Sequence, residues 1–110
     1  PDGIAVASVD FTAPAGNTEG KVVARLELTE GSTYPLDQHR PAILLIDSAR
    51  TEAVNLDYLA NLTAESDSEG NLTAVALTIP PGTELPTTLE AVVVLDVFPL
   101  HRQDLTEEAR

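Results

Sequence analysis

The amino-acid sequence predicts an all-β fold, an antiparallel β-sandwich of about six to seven strands. Apolar residues recur mostly with period two, which is the side-chain period of a strand rather than of a helix. Clusters of proline, glycine and other turn residues interrupt these runs at intervals of about 8–12 residues, as in sandwiches of short strands. The 110 residues, of which 43% are hydrophobic, suffice for one domain with its own core.

Three strands are predicted in the first half of the chain. The first, at 3–11, carries apolar residues on both faces. The second, at 21–31, is amphipathic and predicts a half-buried antiparallel strand. Its apolar face consists of Val22, Ala24, Leu26 and Leu28. A polar loop with two prolines and a glycine follows at 30–41. The third strand, at 42–48, is nearly continuously aliphatic, which is typical of a central strand.

The segment 52–65, EAVNLDYLANLTAE, has two interpretations. Thr51 could cap a helix whose apolar stripe begins at Ala53. Many of the following residues are weak helix formers, however. Apolar residues also alternate with polar ones from Leu56 to Leu62. We therefore predict a strand.

Two strands follow in the second half. The segment 71–79 alternates regularly, and the prolines of 80–86 then forbid regular pairing. The segment 87–100, TTLEAVVVLDVFPL, is predicted as the last long strand, which Pro99 ends or marks as a sheet edge. Asp96 lies there among apolar neighbours. If it faces inward, it must have a hydrogen-bond donor or a raised pKa.

Residues 77–97, LTIPPGTELPTTLEAVVVLDV, resemble the passage between the E and F strands of bacterial immunoglobulin-like and fibronectin type III-like modules. The resemblance covers about a fifth of the chain and implies an immunoglobulin-like sandwich. Leu89 stands where many such modules have the tyrosine of the E–F corner, and the chain has neither cysteine nor tryptophan. The resemblance leaves 101–110 to supply a short last strand or none.

The charge balance argues against several classes of binding partner. The chain has 18 acidic and 6 basic residues and a formal charge of −12, which would be repelled by nucleic acid and by anionic membranes. No run approaches the roughly 18 apolar residues of a membrane-spanning helix, so membrane insertion is not expected. The acidic, lysine-poor composition and the start without methionine are typical of a mature piece of an exported bacterial protein. We therefore expect a periplasmic, cell-surface or extracellular location.

Motifs of catalysis do not occur in the sequence. A G-x-S-x-G elbow, a phosphate-binding glycine loop and an H-E-x-x-H pair are all missing, so neither an enzyme nor a cofactor is expected. Glu65, Asp67 and Glu69 are spaced as at the start of a calcium loop, but Ala76 stands where an EF-hand needs a bidentate glutamate. A looser calcium site remains an alternative. The favoured interpretation of this segment is a hairpin turn.

Both histidines stand beside an arginine, in QHR and HRQ. In an immunoglobulin-like sandwich the C and F strands are antiparallel neighbours, so these two segments would lie at one end of a sheet. We predict a binding end for an anion or a protein partner there. It comprises Tyr34, His39, Arg40, His101 and Arg102. Simple pairing of these bases with nearby acids is the competing interpretation, and a metal site with two histidines is a weaker alternative.

The expected function is structural or adhesive. The chain would be an immunoglobulin-like module of an exported or cell-surface bacterial protein, a spacer or a domain that binds another protein or a neighbouring domain. The alternative is an accessory sandwich of a secreted hydrolase, with carbohydrate as its ligand. Sugar sites need an exposed aromatic ring, and Tyr34 is the best candidate because Tyr58 and the phenylalanines are expected in the core or at an edge. We expect a single domain at 1–105 and a tail or linker at 106–110.

Overall fold

The computed structural model describes residues 1–106, within which eight strands form two antiparallel sheets of four. The strands are β1 (Ile4–Thr12), β2 (Gly20–Leu28), β3 (Pro41–Asp47), β4 (Glu52–Ala53), β5 (Leu62–Ser66), β6 (Leu72–Ile79), β7 (Leu89–Leu95) and β8 (Phe98–Asp104). A 3₁₀ turn at Leu36–Gln38 and a helix of four residues, α1 (Tyr58–Asn61), complete the fold. The predicted fold class, an antiparallel β-sandwich, is confirmed.

The two sheets have the strand orders β1-β2-β6-β5 and β4-β3-β7-β8. The central strands of each sheet pair in a register that places apolar side chains opposite one another. Val22 pairs with Leu77 in the first sheet, and Ile43 pairs with Val93 in the second. All four side chains are fully buried, so they belong to the layer between the sheets.

The core is aliphatic, as the composition requires. It consists of Ile4, Val22, Ala24, Leu26, Ile43, Leu45, Val54, Leu72, Val75, Leu77, Ile79, Leu89, Ala91, Val93, Leu95 and Leu105. Among residues 1–106 no polar or charged residue is buried. Burial of this apolar surface therefore supplies most of the stabilisation of the sandwich.

The segment 52–65 is not the single strand that its alternation predicts. It contains β4, then α1, then β5. Asp57 caps the helix, since its carboxylate accepts the N–H of Ala60 at 3.2 Å. Leu56, Tyr58 and Leu62 do pack against the core. The alternation therefore predicts the burial of these three residues, but not of Ala60, which is exposed, and most of the backbone is not extended.

Tyr58 connects α1 to β3 and β4. Its hydroxyl oxygen lies 3.3 Å from the Leu45 nitrogen, 2.8 Å from the Val54 carbonyl and 3.1 Å from the Leu45 carbonyl. The Leu45 carbonyl already accepts the N–H of Val54 at 2.8 Å. A hydroxyl has one proton, so we infer that it donates to Val54 and accepts from Leu45. Burial raises the pKa of Tyr58.

Replacing Tyr58 by phenylalanine is expected to destabilise the domain by about 1–2 kcal/mol. The ring would still pack, but the Leu45 N–H and the Val54 carbonyl would lose their partner. Urea denaturation measures the difference. Tyr34→Phe is the control, because the Tyr34 hydroxyl bonds only to the carbonyl of Asp2 at an exposed position. Equal losses for the two variants would contradict the role given to Tyr58.

The segment predicted as one long last strand is a hairpin. β7 ends at Leu95, which pairs with Phe98, the first residue of β8. Asp96 and Val97 between them have φ angles of 51° and 67°, as in a two-residue turn of type I′. Pro99 lies in β8, an edge strand where a missing amide donor is tolerated. The last strand is therefore longer and begins earlier than the resemblance implied.

Thr106, the first residue of the predicted tail, is hydrogen-bonded to the sandwich. Its hydroxyl accepts the N–H of Leu89 at 3.2 Å, and its own N–H donates to Asp104 at 2.9 Å. The rest of the predicted tail, 107–110, lies outside the described residues. No helix within residues 1–106 has the length and hydropathy to cross a membrane.

Candidate functional site

The structure brings three residues of the predicted binding end together with Asp96. The ring centroids of Tyr34 and His39 lie 4.9 Å apart. His39 Nδ1 lies 2.5 Å from Asp96 Oδ2 in the hairpin turn, and the two form an ion pair when His39 is protonated. The backbone N–H of Arg40 donates to Asp96 Oδ1 at 2.7 Å, and the N–H of Asp96 donates to the Arg40 carbonyl at 3.0 Å. The turn is thus fastened to the segment before β3.

His101 and Arg102 do not join this group. His101 pairs with Val93 across the hairpin, and its Nε2 lies 3.1 Å from Gln103 Oε1. The guanidinium of Arg102 lies 2.7 Å from the Glu90 carboxylate on β7. The chain turns at residues 96–97. His101 and Arg102 therefore lie about 10 Å or more beyond the turn along β8. The two histidines are therefore not placed to bind the same metal ion.

Asp96 lies in the exposed turn and not in the interior, since 38% of its side chain is exposed. The hydrogen bond from His39 and, next in size, that from the Arg40 N–H lower its pKa, whereas an inward-facing carboxyl would have had a raised one. These bonds therefore contribute stability above the ordinary pKa of aspartate, and the contribution is lost as the pH falls through the lowered value. Because Asp96 is partly exposed to solvent, this contribution to stability is small.

Three large apolar side chains are exposed beside this ion pair. They are Leu59 at 90%, Val97 at 88% and Phe98 at 60% exposure, and no other large hydrophobic residue in 1–106 is exposed. Phe11 packs against the core, and Phe98 lies on an edge strand, where its side chain faces solvent. We call Leu59, Val97 and Phe98, with the His39–Asp96 pair between them, the apolar end.

Two shallow depressions lie on either side of the His39–Asp96 pair. One is a groove of 490 Å³ with Leu59 and Val97 at its margin, and it also contacts Arg40. Its remaining lining is apolar and consists of Pro41, Ala42, Leu44, Leu62 and Val94. The other, of 340 Å³, is lined by Phe98, Tyr34 and Pro1. Both share His39 and Asp96, so the pair holds two apolar surfaces side by side.

The backbone of Val97 is strained. Its φ of 67° lies in the left-handed region, where a β-branched side chain crowds the backbone. The turn type favours glycine or asparagine at such positions. Because the Val97 side chain is exposed, packing within the domain does not offset this cost. Strain of this kind is found preferentially at functional sites.

Replacing Val97 by glycine is expected to stabilise the domain by about 1 kcal/mol, because relief of the left-handed strain exceeds the entropy that glycine adds to the unfolded chain. Urea denaturation of wild type and variant measures the shift. The comparison is Val9→Gly in β1, where the backbone is extended and the side chain packs against the core, so the same change is expected to destabilise. A loss of stability at both positions would contradict the strain at Val97.

Residues 67–71 of the acidic segment form the hairpin turn between β5 and β6, as predicted. The carboxylate of Asp67 accepts the N–H groups of Glu69 and Asn71 at 2.9 and 3.0 Å. Its backbone N–H also donates to the Asn71 carbonyl at 2.9 Å. Within the described part of the chain, no cluster of three or more acidic, histidine or cysteine side chains is placed to hold a metal ion. The calcium alternative at Glu65, Asp67 and Glu69 is therefore not supported.

Comparison of the chain with protein-family models, curated proteins and solved structures gives no significant match. The fold and the geometry of the apolar end are therefore the basis for functional inference.

Proposed function

We propose that the chain is a non-catalytic, immunoglobulin-like module of an exported or cell-surface bacterial protein, and that it binds a protein partner through the apolar end. The observation that carries the proposal is the concentration of Leu59, Val97 and Phe98 around one ion pair. Contiguous exposed apolar surface on an otherwise polar domain is typical of protein interaction sites.

The strand order supports the immunoglobulin-like assignment. In such sandwiches strands A, B, E and D form one sheet, and C, F and G form the other. The orders β1-β2-β6-β5 and β3-β7-β8 follow this arrangement, with β4 as a short additional strand beside β3. The apolar end then lies where the B–C and F–G connections meet, the end that carries binding loops in antibody variable domains.

The hairpin turn is suited to binding because it is held in place before a partner arrives. Its two residues lie between paired strands, and Asp96 accepts hydrogen bonds from His39 and from the backbone of Arg40. A surface that is already ordered loses little conformational entropy when it is covered. Val97 and Phe98 are therefore presented at low entropic cost.

The carbohydrate-binding alternative receives less support. A sugar platform needs an aromatic ring with a free face. Tyr34 is only partly exposed, its hydroxyl donates to the carbonyl of Asp2, and its ring lies at 47° against that of His39. Tyr58 packs against the core.

Selection from a random displayed-peptide library on the immobilised domain tests the proposal. We expect the selected peptides to lose about tenfold or more in affinity on Leu59→Ser or Val97→Ser, and to be unaffected by Glu84→Ser beyond the opposite end of β7. Selected peptides that bind equally well to all three variants would count against the apolar end. Binding on a glycan array that Tyr34→Ala abolishes would favour the accessory, sugar-binding function instead.

A further inference from the structure

The charges around the apolar end are mainly negative. Three exposed aspartates adjoin its residues along the chain or by a hydrogen bond, although none lines either depression: Asp2 bonded to Tyr34, Asp37 in the 3₁₀ turn before His39, and Asp57 at the start of α1 before Leu59. Arg40 is the exposed base there, and within residues 1–106 it forms no ion pair. His39 is bonded to Asp96. A partner therefore meets apolar side chains inside an excess of carboxylates.

The charge of the whole chain acts in the same direction. With 18 acids against 6 bases, the molecule attracts cationic partners from a distance and repels anionic ones. A second copy of the chain is a poor occupant, because a symmetric contact through this end would place the same aspartates of both copies close together. Charge thus favours cationic partners over anionic ones, a distinction that apolar contact alone does not make.

We propose that the apolar end binds a protein segment with a large apolar side chain flanked by lysine or arginine residues. The inference rests on the proposed function and specifies the chemistry of its partner. The apolar side chain occupies the groove between Leu59 and Val97, whose lining is largely aliphatic. The flanking bases lie close to Asp37 and Asp57.

The two parts of this interaction affect different rate constants. Attraction between the acidic domain and the basic flanks raises the association rate, and salt screens it. Contact of the apolar side chain with the groove slows dissociation. Each contribution can therefore be removed separately and recognised in binding kinetics.

Three synthetic peptides of equal length test the proposal on the immobilised domain by surface plasmon resonance. The first has a Leu-Phe centre with lysine flanks, the second the same centre with glutamate flanks, and the third a Ser-Ser centre with lysine flanks. We expect the first to bind at least about tenfold more tightly than either of the others. Its association rate should fall when salt is raised from about 0.1 M to about 1 M, which shortens the screening length from about 10 Å to about 3 Å.

Variants of the domain assign the effects to residues. Val97→Gly is expected to weaken binding of the first peptide by about tenfold through faster dissociation. Because this variant is also expected to be more stable than wild type, misfolding would not explain the loss. Asp37→Asn with Asp57→Asn is expected to lower the association rate only, since asparagine still caps a helix. Glu84→Gln, the control, removes a charge of the same sign at a position remote from the groove.

The outcomes separate the partner chemistry from the proposed function. Equal or tighter binding of the glutamate-flanked peptide would overturn the cationic partner and leave a protein-binding apolar end intact. Failure of all three peptides, together with dimerisation that Val97→Gly abolishes in sedimentation experiments, would identify a second copy as the occupant and refute the inference. Failure of the peptides without dimerisation also refutes it, and the library selection then decides whether the proposed function survives.

Discussion

Replacing Leu77 by alanine is expected to destabilise the domain by about 2–5 kcal/mol. Leu77 is fully buried in β6, where it pairs with Val22 on one side and Leu62 on the other. Truncation removes its buried apolar surface and leaves a cavity that neighbouring strands cannot fill without giving up their register. Single domains have a total stability of about 5–15 kcal/mol, so this one change removes a large share of it.

Leu59→Ala is the matched control for Leu77→Ala, because it deletes the same atoms from a side chain that is 90% exposed. Its cost is expected to stay within about 0.5 kcal/mol. Urea denaturation of the two variants beside wild type gives both values, with equal slopes confirming that stability alone has changed. Similar costs at the two positions would mean that Leu77 does not occupy the core.

The central strands could be predicted from the sequence because their burial pattern is local. Alternation predicts one apolar face of β2. Three of its residues, Val22, Ala24 and Leu26, are buried, and Leu28 is half-buried against the core. Continuous aliphatic sequence likewise predicted β3 as a central strand, and it pairs on both sides. In these strands the spacing of apolar residues along the chain already indicates a strand and its buried face. Knowledge of the tertiary contacts therefore adds little to that assignment.

The hairpin between β7 and β8 could not be predicted in this way. Turns of this type are recognised by pairs such as Asn-Gly or Asp-Gly, and here Val97 stands after Asp96 in the place of the glycine. The turn is fastened by His39 and Arg40, of which His39 is 57 positions from Asp96. Such long-range bonds leave no local pattern. Because strand faces alternate, a misplaced turn also assigns the following side chains to the wrong surroundings.

The candidate site was therefore predicted only in part. The concentration of basic residues in an acidic chain pointed to one end of the sandwich, with Tyr34 nearby. Tyr34, His39 and Arg40 do lie together there, whereas His101 and Arg102 do not join them. The exposure of Val97 and Phe98 depends on where the chain turns, and that of Leu59 depends on a helix of four residues. Composition could suggest which end of the sandwich is the candidate binding end. The apolar side chains of that end became apparent only from the fold.

Gly20→Ala is expected to destabilise the domain by about 3 kcal/mol or more, because the start of β2 has no room for a side chain. A Cβ atom on Gly20 would lie 2.5 Å from the Pro14 nitrogen, 2.6 Å from the Pro14 Cδ and 2.6 Å from the Thr12 carbonyl oxygen. These atoms belong to the backbone and to a proline ring, so they cannot move aside as a flexible side chain would. Relief of the clash requires the end of the β1–β2 pairing to separate, where Thr12 pairs with Lys21.

Gly31→Ala distinguishes this steric effect from the general cost of replacing glycine. No atom lies within 4 Å of a Cβ built at Gly31, but its φ of 86° is in the left-handed region. The change is therefore expected to cost only about 1 kcal/mol. Thermal and urea denaturation give both values, and hydrogen exchange should show faster exchange at the Thr12–Lys21 end of the β1–β2 pair in the Gly20 variant alone. If the two variants are equally stable, close packing of β2 against the β1–β2 connection is not what excludes a side chain at Gly20.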